Sequence, residues 1–333
     1  MENKIAKLID LVQKLPEECL DETIDFVNGK MEENADNKPI PPCPHCKSVS
    51  VKRNGRKDGR QRFQCKNCGK SFGETTNAAV FQSHCGEAVW KQVIRDTVTG
   101  VPIDETAENI AVSHSTIFNM RHKILLALEV EESRNPTVLN DVCELDDTYV
   151  LESYKGTKLP DDFWRAPRKH GAVAQKRGIS NEYVGICTGV QRDGDAISMT
   201  VTRATPGKED VMRVFENRIG EEALILCDGA TSYTALGESC ACPVQNVTVD
   251  GTKGGKGFYN INTVNSFHSF IKNRYVQYRG VSTKYLNRYN PLFSKVFRNG
   301  GDLVDEIYNL LTLNDDTRHH SVNDVKTLNL LNI

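Results

Sequence analysis

Two hydrophobic periodicities divide the chain into a helical first part and a mixed second part. In residues 3–33 and 84–130 the apolar positions recur every three or four residues, which predicts amphipathic helices. From about Val138 onward, short apolar runs typical of strands alternate with helix-like segments. That alternation is typical of a sheet covered by helices, so the second part is predicted to be an α/β or α+β domain. The polar stretch from Glu33 to Pro42 is predicted to be an extended linker.

Four of the eleven cysteines form a metal-binding pattern after this linker. Cys43-x-x-Cys46 and Cys65-x-x-Cys68 are separated by eighteen residues that alternate like strands around a turn. Two such pairs on facing hairpins make a closed tetrahedral sulfur site, which suits Zn²⁺. Because four protein ligands leave no open position, we expect a zinc ribbon with structural zinc. The odd cysteine count argues against a disulfide framework.

Basic residues are concentrated around these cysteines, although the formal net charge of the chain is only −2. Residues 1–36 hold ten acids against four lysines, whereas residues 47–70 hold nine lysines and arginines against one acid. The alternative is a ribbon that binds protein and has a solvated basic face, but the charge density favours nucleic acid. The ribbon residues expected to contact DNA are Lys52, Arg53, Arg56, Arg60 and Arg62.

The segment from Ile103 to Arg121 has the pattern of a helix-turn-helix. Its first helix is predicted to pack through Ala107, Ile110 and Ala111, and Ser113 is predicted to be the N-cap of the second helix. An ordinary helical hairpin would show the same pattern, but the preceding basic ribbon favours DNA binding. The inner face of the second helix is predicted to bury Ile117, Ile124, Leu125 and Leu128. The residues expected at the groove-facing side are Ser115, Thr116, Asn119 and Arg121.

Two aspartates occur at strand-like runs of the second part, and a polar helix face follows them. Asp146 lies within an apolar run, and Asp228 ends another just before a glycine, where the alternative is an ordinary turn residue. Steps of three, four and seven residues then place Asn265, His268 and Lys272 on one helix face. Metal-dependent phosphoryl transfer needs oxygen ligands that hold two divalent cations about 4 Å apart. The aspartates and an amide oxygen are such ligands, and a lysine can steady a phosphate.

A glycine-rich, basic segment at 250–259 precedes this helix. It lacks the Gly-Lys-Ser/Thr pattern of a nucleotide-binding P-loop. We therefore expect a flexible loop whose amides, together with Lys253 and Lys256, approach DNA phosphates.

Taken together, the motifs resemble those of IS1595-type transposases with an ISXO2-like transposase domain. The resemblance covers nearly the whole chain and includes the N-terminal helical pair and the four-cysteine ribbon. The other matching stretches are Glu144-Leu-Asp146-Asp147-Thr-Tyr, Lys176-Arg-Gly-Ile-Ser-Asn-Glu, Gln191-Arg-Asp-Gly, Asp228-Gly, Asn262-Thr-Val-Asn265-x-Phe-x-Ser-x-x-Lys272 and Tyr278-Arg-Gly-Val-Ser-Thr-Lys.

The resemblance implies an RNase H-like catalytic domain with a mixed sheet flanked by helices. It implies divalent-metal-dependent end cleavage and strand transfer of an insertion sequence, with Asp146 and Asp228 as the acids and Lys272 as the lysine. Asn265 stands where many relatives carry Glu, and Asp147 replaces the Glu that commonly follows the first acid. The implied cofactors are one structural Zn²⁺ and two Mg²⁺ or Mn²⁺ ions. The implied partners are double-stranded DNA, as terminal inverted repeats and target, and at least one further copy of the chain.

The expected organisation is multidomain. The predicted parts are an N-terminal helical pair at 1–36, the zinc ribbon at 37–78, the helix-turn-helix-like segment at 84–132, the catalytic domain at 138–315 and a C-terminal tail at 316–333. No apolar run approaches the roughly 20 residues that span a bilayer. Without a cationic-then-apolar signal at its start, the chain is expected in the prokaryotic cytoplasm, associated with the nucleoid when bound to DNA.

Asn265 leaves two interpretations open. It is either a working variant, whose amide oxygen binds the second metal with less negative charge, or the mark of an inactive copy. The intact Asp146, Asp228 and Lys272 favour activity. The rival functions are a catalytically inactive, transposase-derived DNA-binding regulator and an RNase H-like nuclease that cuts without joining.

Overall fold

The structure, a computed structural model, describes residues 40–312 apart from 58–59, 82, 158, 160, 162, 164, 166–172, 248–254 and 300–302. The predicted helical pair at 1–36 and the predicted tail at 316–333 lie outside the described residues. The chain divides into two compact units, residues 1–76 and residues 77–333. No helix within the described ranges is long and apolar enough to cross a membrane.

The first unit contains a small antiparallel sheet in the order β1-β2-β3. Its strands are β1 (Val51–Lys57), β2 (Arg60–Cys65) and β3 (Ser71–Gly73). The buried centre consists of Phe63 and Phe72, whose ring centroids are 5.6 Å apart, together with two cysteines. A core this small does not hold a module together without a metal or disulfides. The four-cysteine cluster described below supplies a place for a metal.

The second unit is built on a five-stranded sheet in the order β6-β5-β4-β7-β8. Antiparallel pairing joins β4, β5 and β6, whereas β7 and β8 run parallel to β4. The sheet is therefore mixed, as the family resemblance implied. Its strands are β4 (Val142–Leu151), β5 (Tyr183–Gln191), β6 (Ala196–Arg203), β7 (Leu224–Cys227) and β8 (Val244–Asn246). A separate two-stranded hairpin consists of β9 (Gly255–Lys256) and β10 (Tyr259–Asn260).

Helices cover both faces of this sheet because its strands alternate between two apolar clusters. One face, which includes Leu145 and Cys187, packs against α4 and α5. The other face, which includes Ile186 and Leu226, shares a core with the remaining long helices. The helices are α1 (Glu87–Thr99), α2 (Ile103–Asn109), α3 (His114–Arg134), α4 (Lys208–Phe215), α5 (Thr231–Cys240), α6 (Asn262–Gln277), α7 (Leu286–Asn299) and α8 (Val304–Thr312), with a 3-10 turn at Thr283–Tyr285.

The helical segment before the sheet forms as its pattern predicted, with one exception. Ser113 is the N-cap of α3 and accepts a hydrogen bond from the Thr116 amide at 3.3 Å, which confirms the predicted cap. The predicted inner face of α3 is buried, and it packs in one core with α6, α7 and α8. Ala111 was predicted to pack α2, but it is exposed in the turn after that helix with φ of 51°. The left-handed backbone turns its methyl group away from the core.

Candidate functional site

The pairing of β4 with β7 places the two predicted aspartates side by side. The last parallel pair joins Glu144 to Leu226. Asp146 and Asp228 each follow two residues later, and side chains two residues apart point to the same face of a sheet. Leu226 packs in the core that contains α6, so both aspartates belong to the α6 side. Adjacent strands are about 4.8 Å apart, and the Asp228 carboxylate is close enough to raise the pKa of Asp146.

Asp228 also has the turn role that the sequence left open. Its Oδ1 accepts a hydrogen bond from the Ala230 amide at 3.2 Å, and the intervening Gly229 has φ of 93°. This left-handed conformation suits glycine and lets the chain leave β7 directly after the carboxylate. Asp228 itself is exposed. The turn therefore holds the carboxylate at the end of the strand where solvent and ligands can reach it.

Asp146 sits in an environment that disfavours its negative charge. Burial raises the pKa of Asp146 to about 7, the hydrogen bond from the Asp147 amide lowers it, and the Asp228 carboxylate raises it. The charge of Lys272 acts in the opposite direction to Asp228 on the same pKa. Two acids and a lysine that influence one another electrostatically occupy one locality. A divalent cation there would favour the ionised carboxylates.

Helix α6 presents the three polar residues predicted to share a face. Asn265 and Lys272 are exposed, and His268 between them is buried, with 8% of its surface exposed. The helix packs against β4 and β5 through buried Phe267 and Ile271. Burial and the Lys272 charge lower the pKa of His268 to about 4, so its ring is neutral near pH 7. The face therefore offers an exposed amide, a neutral imidazole 3.9 Å from the Asp146 carboxylate and a cation that acts on the Asp146 pKa.

Asp147 belongs to the opposite side of the sheet from Asp146. Its Oδ1 accepts a hydrogen bond of 2.6 Å from the hydroxyl of Tyr233, a buried residue of α5. Burial raises the pKa of Asp147 to about 6, against the lowering effect of hydrogen bonds from Tyr233 and Cys187. Because successive strand residues alternate in direction, only one member of the Asp146-Asp147 pair can face α6.

Glu144 connects the two elements that carry the site, a role that the sequence reading missed. Its fully buried carboxylate accepts hydrogen bonds from the amides of Thr263 and Val264 at 2.7 and 3.0 Å. These are first-turn amides of α6, which have no partner within the helix, and a negative charge there is stabilised by the helix dipole. Arg192 completes the network through an Nε to Oε1 contact of 2.7 Å. The sequence feature that could have indicated this role is that Glu144 is an acid two residues before Asp146, on the same face of the strand.

The four predicted cysteines form one cluster in the first unit. Their sulfur atoms all lie within 4.8 Å of one another, with Cys43 to Cys68 at 3.7 Å and Cys46 to Cys65 at 3.6 Å. Sulfurs around a tetrahedral zinc, about 2.3 Å from the metal, are roughly 3.8 Å apart, so the cluster has the dimensions of a zinc site. Amide hydrogen bonds from Cys68 and Asn67 lower the pKa of Cys65 to about 6, which favours the thiolate that binds metal.

The candidate metal ligands of the second unit do not form a cluster like that of the four cysteines. Among the described residues, no group of three or more His, Cys, Asp and Glu ligand atoms within 4.8 Å includes Asp146 or Asp228. The donor types nevertheless fit a hard divalent cation, because carboxylate and amide oxygens are the ligands that Mg²⁺ and Mn²⁺ prefer. Asp146, Asp228 and Asn265 could hold such a cation, with Asp228 and Asn265 on the exposed side.

Most of the basic ribbon residues predicted to contact DNA lie at the surface. Lys52, Arg53, Arg56 and Arg60 are exposed, and Arg62 is partly buried. Lys253, from the glycine-rich segment, lies outside the described residues. Lys256 lies in β9, and its side chain is also outside the described part.

The residues predicted to face a DNA groove from α3 divide into two groups. Ser115 is exposed at the start of α3, and Thr116 and Asn119 are partly buried. Arg121 is 1% exposed, so its prediction as a DNA contact is wrong. Its guanidinium donates to the Val101 carbonyl at 2.7 Å and stacks on the ring of Tyr278 at 5.2 Å. Arg121 follows Ile117 by four residues and precedes Leu125 by four, which places it on the inner face of the helix.

One known protein and two solved structures illustrate what this chain is similar to. A protein described as an uncharacterised protein in transposable element ISH50 of Halobacterium salinarum is 25% identical over 264 residues, which cover 78% of this chain and 87% of that protein. The solved Mos1 strand transfer complex is 12% identical, with 71% of this chain and 79% of that chain covered and a TM-score of 0.27. A Mos1 mariner paired end complex with Mn is also 12% identical. The similarity covers 72% of this chain and 81% of that chain, with a TM-score of 0.25. Structural similarity this low does not establish a common fold.

A family model provides the remaining comparison. Residues 138–294 match the model of the ISXO2-like transposase domain, and they include both aspartates, Asn265 and Lys272. This match is to the same family whose resemblance was read from the sequence, and it confirms that resemblance over residues 138–294.

Proposed function

We propose that this chain is a DNA transposase that cuts the ends of an insertion sequence and joins them to target DNA, with divalent cations bound by Asp146, Asp228 and Asn265. The observation that best supports the proposal is the parallel pairing of β4 with β7, because Asp146 and Asp228 each follow two residues after the last pair, Glu144 and Leu226. The transposase family of the domain supports the reaction class. The mixed sheet between two helical layers supports an RNase H-like assignment.

The residues of the chain have separate tasks in this reaction. When bound, divalent cations supply Lewis-acid polarisation of the phosphate and a more acidic attacking water or hydroxyl. In the cutting step the water oxygen forms a bond to phosphorus and the 3′ oxygen leaves. In the joining step that 3′ hydroxyl attacks a target phosphate, so one P–O bond forms as another breaks. Lys272, an exposed cation close enough to influence the Asp146 pKa, offsets charge on the phosphate.

The other parts of the chain are proposed to hold the DNA. Exposed Lys52, Arg53, Arg56 and Arg60 of the ribbon suit contact with phosphates, and structural Zn²⁺ at the four cysteines would keep these strands in place. The α2-turn-α3 arrangement, capped by Ser113, supports a helix-turn-helix whose exposed Ser115 reaches DNA. Joining two ends requires at least two copies of the chain on the DNA.

A nicking assay tests the enzymatic part of this proposal. The substrate is labelled DNA that contains the element's own ends, with Mg²⁺ or Mn²⁺ added and then removed by a chelator. We expect nicking by the wild type that stops on chelation, and no nicking by Asp228→Ala. Equal results for wild type and Asp228→Ala would contradict the proposal and favour an inactive DNA-binding regulator.

Two further comparisons separate the remaining alternatives. An RNase H-like nuclease would cut the ends but would not insert a pre-cleaved end into a second DNA. Asn265→Asp restores a carboxylate at the third position, and Asn265→Ala removes the amide oxygen. A working asparagine site predicts that Asn265→Ala loses nicking, whereas an inactive copy predicts that neither wild type nor Asn265→Ala nicks DNA.

A further inference from the structure

His268 is held in one orientation by a chain of hydrogen bonds. Its Nε2 lies 2.6 Å from the hydroxyl of Thr188, and that hydroxyl donates to the backbone carbonyl of Asp146 at 2.6 Å. A threonine hydroxyl has one proton, and a carbonyl oxygen can only accept. Since the proton of Thr188 goes to the carbonyl, Nε2 of His268 must carry a proton and donate it to Thr188. The neutral ring therefore has its free lone pair on Nδ1.

Nδ1 is also the ring nitrogen that lies near the Asp146 carboxylate. His268 Nδ1 and Asp146 Oδ2 are 3.9 Å apart, which is too far for a hydrogen bond. Two atoms bound to one cation at about 2.1 Å lie roughly 3.0 to 4.2 Å apart, from neighbouring to opposite positions. The side chains of His268 and Asp146 keep 10% and 20% of their exposure, so neither is fully closed off from solvent. A cation between the two atoms would satisfy both.

We propose that His268 is a nitrogen ligand of the divalent cation that Asp146 binds, an inference that rests on the proposed metal-dependent function. Histidines that bind metals donate their other ring N–H to an oxygen, which fixes the ring, and Thr188 accepts that hydrogen bond here. An imidazole suits transition metals better than Mg²⁺, which prefers oxygen. The site therefore binds Mn²⁺ in preference to Mg²⁺, and His268 is the residue that sets this preference.

Pulsed electron paramagnetic resonance detects a nitrogen bound to Mn²⁺ directly. The sample is the full-length, zinc-loaded protein with Mn²⁺ alone, prepared once with natural histidine and once with ¹⁵N-histidine. We expect a histidine nitrogen coupling that changes with the isotope and disappears in His268→Gln. A wild-type Mn²⁺ spectrum without histidine nitrogen would overturn the proposal without need of any variant.

Metal affinity gives the second readout. In His268→Gln the dissociation constant for Mn²⁺ is expected to rise about 10-fold or more, and that for Mg²⁺ by much less, so the preference for Mn²⁺ shrinks. Thr188→Val keeps the imidazole and removes its support, so it should retain the nitrogen coupling and weaken Mn²⁺ binding by about 10-fold. Unchanged Mn²⁺ and Mg²⁺ affinities in His268→Gln would show that the histidine only joins α6 to β5.

Asp146→Asn separates failure of this inference from failure of the proposed function. If Mn²⁺ binding is lost in Asp146→Asn but unaffected in His268→Gln, the metal site stands and the histidine ligand is wrong. If wild type and Asp146→Asn bind Mn²⁺ equally, the proposed metal centre itself is wrong and the inference fails with it.

Discussion

Replacing Glu144 by glutamine tests how the strand with Asp146 is fixed to the helix with Asn265. The change keeps the size of the side chain and removes its charge. Glu144 accepts from the Thr263 and Val264 amides, the Thr263 hydroxyl at 3.1 Å and Arg192. A glutamine has one acceptor oxygen, and its amino group would face one of these donors.

The size of the effect follows from burial. Removing one partner of a buried ion pair costs about 3 to 5 kcal/mol. Arg192 keeps 21% of its side-chain exposure and can be partly rehydrated, so we expect the lower end, about 3 kcal/mol. For a domain of this size that corresponds to a fall in Tm of about 6 to 12 °C. Thermal unfolding followed by circular dichroism measures it, and hydrogen exchange should show faster exchange of the Thr263 and Val264 amides.

The matched control is Glu222→Gln. Glu222 is an exposed glutamate just before β7, so its replacement should change stability by no more than about 0.5 kcal/mol. The double variant Glu144→Gln, Arg192→Gln should lose less stability than the sum of the losses in the two single variants, because both substitutions disrupt the same network. If Glu144→Gln unfolds at the same temperature as Glu222→Gln, with unchanged exchange at α6, the anchoring role is refuted.

Four further substitutions address other parts of the molecule. Cys65→Ser should lower the zinc content measured by mass spectrometry from about one ion per chain to nearly none, because the tetrahedral site loses a thiolate. If this variant retains its zinc, the four-cysteine cluster is not the zinc site. Burial, together with Arg288, Arg121 and Lys284, lowers the pKa of His122 to about 3. Below about pH 6.5 His122 takes up a proton in the unfolded chain but not in the folded one, so the folded state becomes less stable as the pH decreases. Urea unfolding should show that the wild type loses about 2 kcal/mol more stability than His122→Phe between pH 7 and pH 5. Equal losses in the two proteins would contradict this prediction. Arg121→Met should destabilise the protein by about 2 kcal/mol and leave DNA affinity intact, because the guanidinium is buried. Arg53→Ala should weaken DNA binding and reduce the slope of log affinity against log salt concentration by about one. The opposite pattern in salt-dependent binding would show that Arg121 contacts DNA.

The sequence predicted the features that depend on local spacing. The two Cys-x-x-Cys pairs, the N-cap at Ser113 and the buried stripe of α3 can each be recognised from short, regular spacings in the sequence. The alternating strand-like and helix-like runs likewise predicted a domain of strands and helices, and the family resemblance implied that its sheet is mixed. Arg121 was misplaced although the same spacing puts it between Ile117 and Leu125 on the inner face, because a charged side chain was assumed to be exposed.

The features that spacing could not predict depend on contacts between distant parts of the chain. Glu144 and Thr263 are 119 residues apart, and Thr188 and His268 are 80 apart. Only the folded sheet shows which of Asp146 and Asp147 faces α6 and that Glu144 meets the first turn of that helix. The sequence motifs single out Asp146 as a candidate site residue, but they do not predict the hydrogen bonds around it.

Strand transfer of a pre-cleaved end tests the central claim most directly. Labelled DNA that ends in the element's terminal sequence is incubated with the full-length protein, a target plasmid and Mg²⁺ or Mn²⁺. The account predicts covalent joining of the end to the plasmid by the wild type, and no joining by Asp228→Ala although that variant still binds the DNA. Wild-type protein that binds the ends but joins none of them with either cation would contradict it.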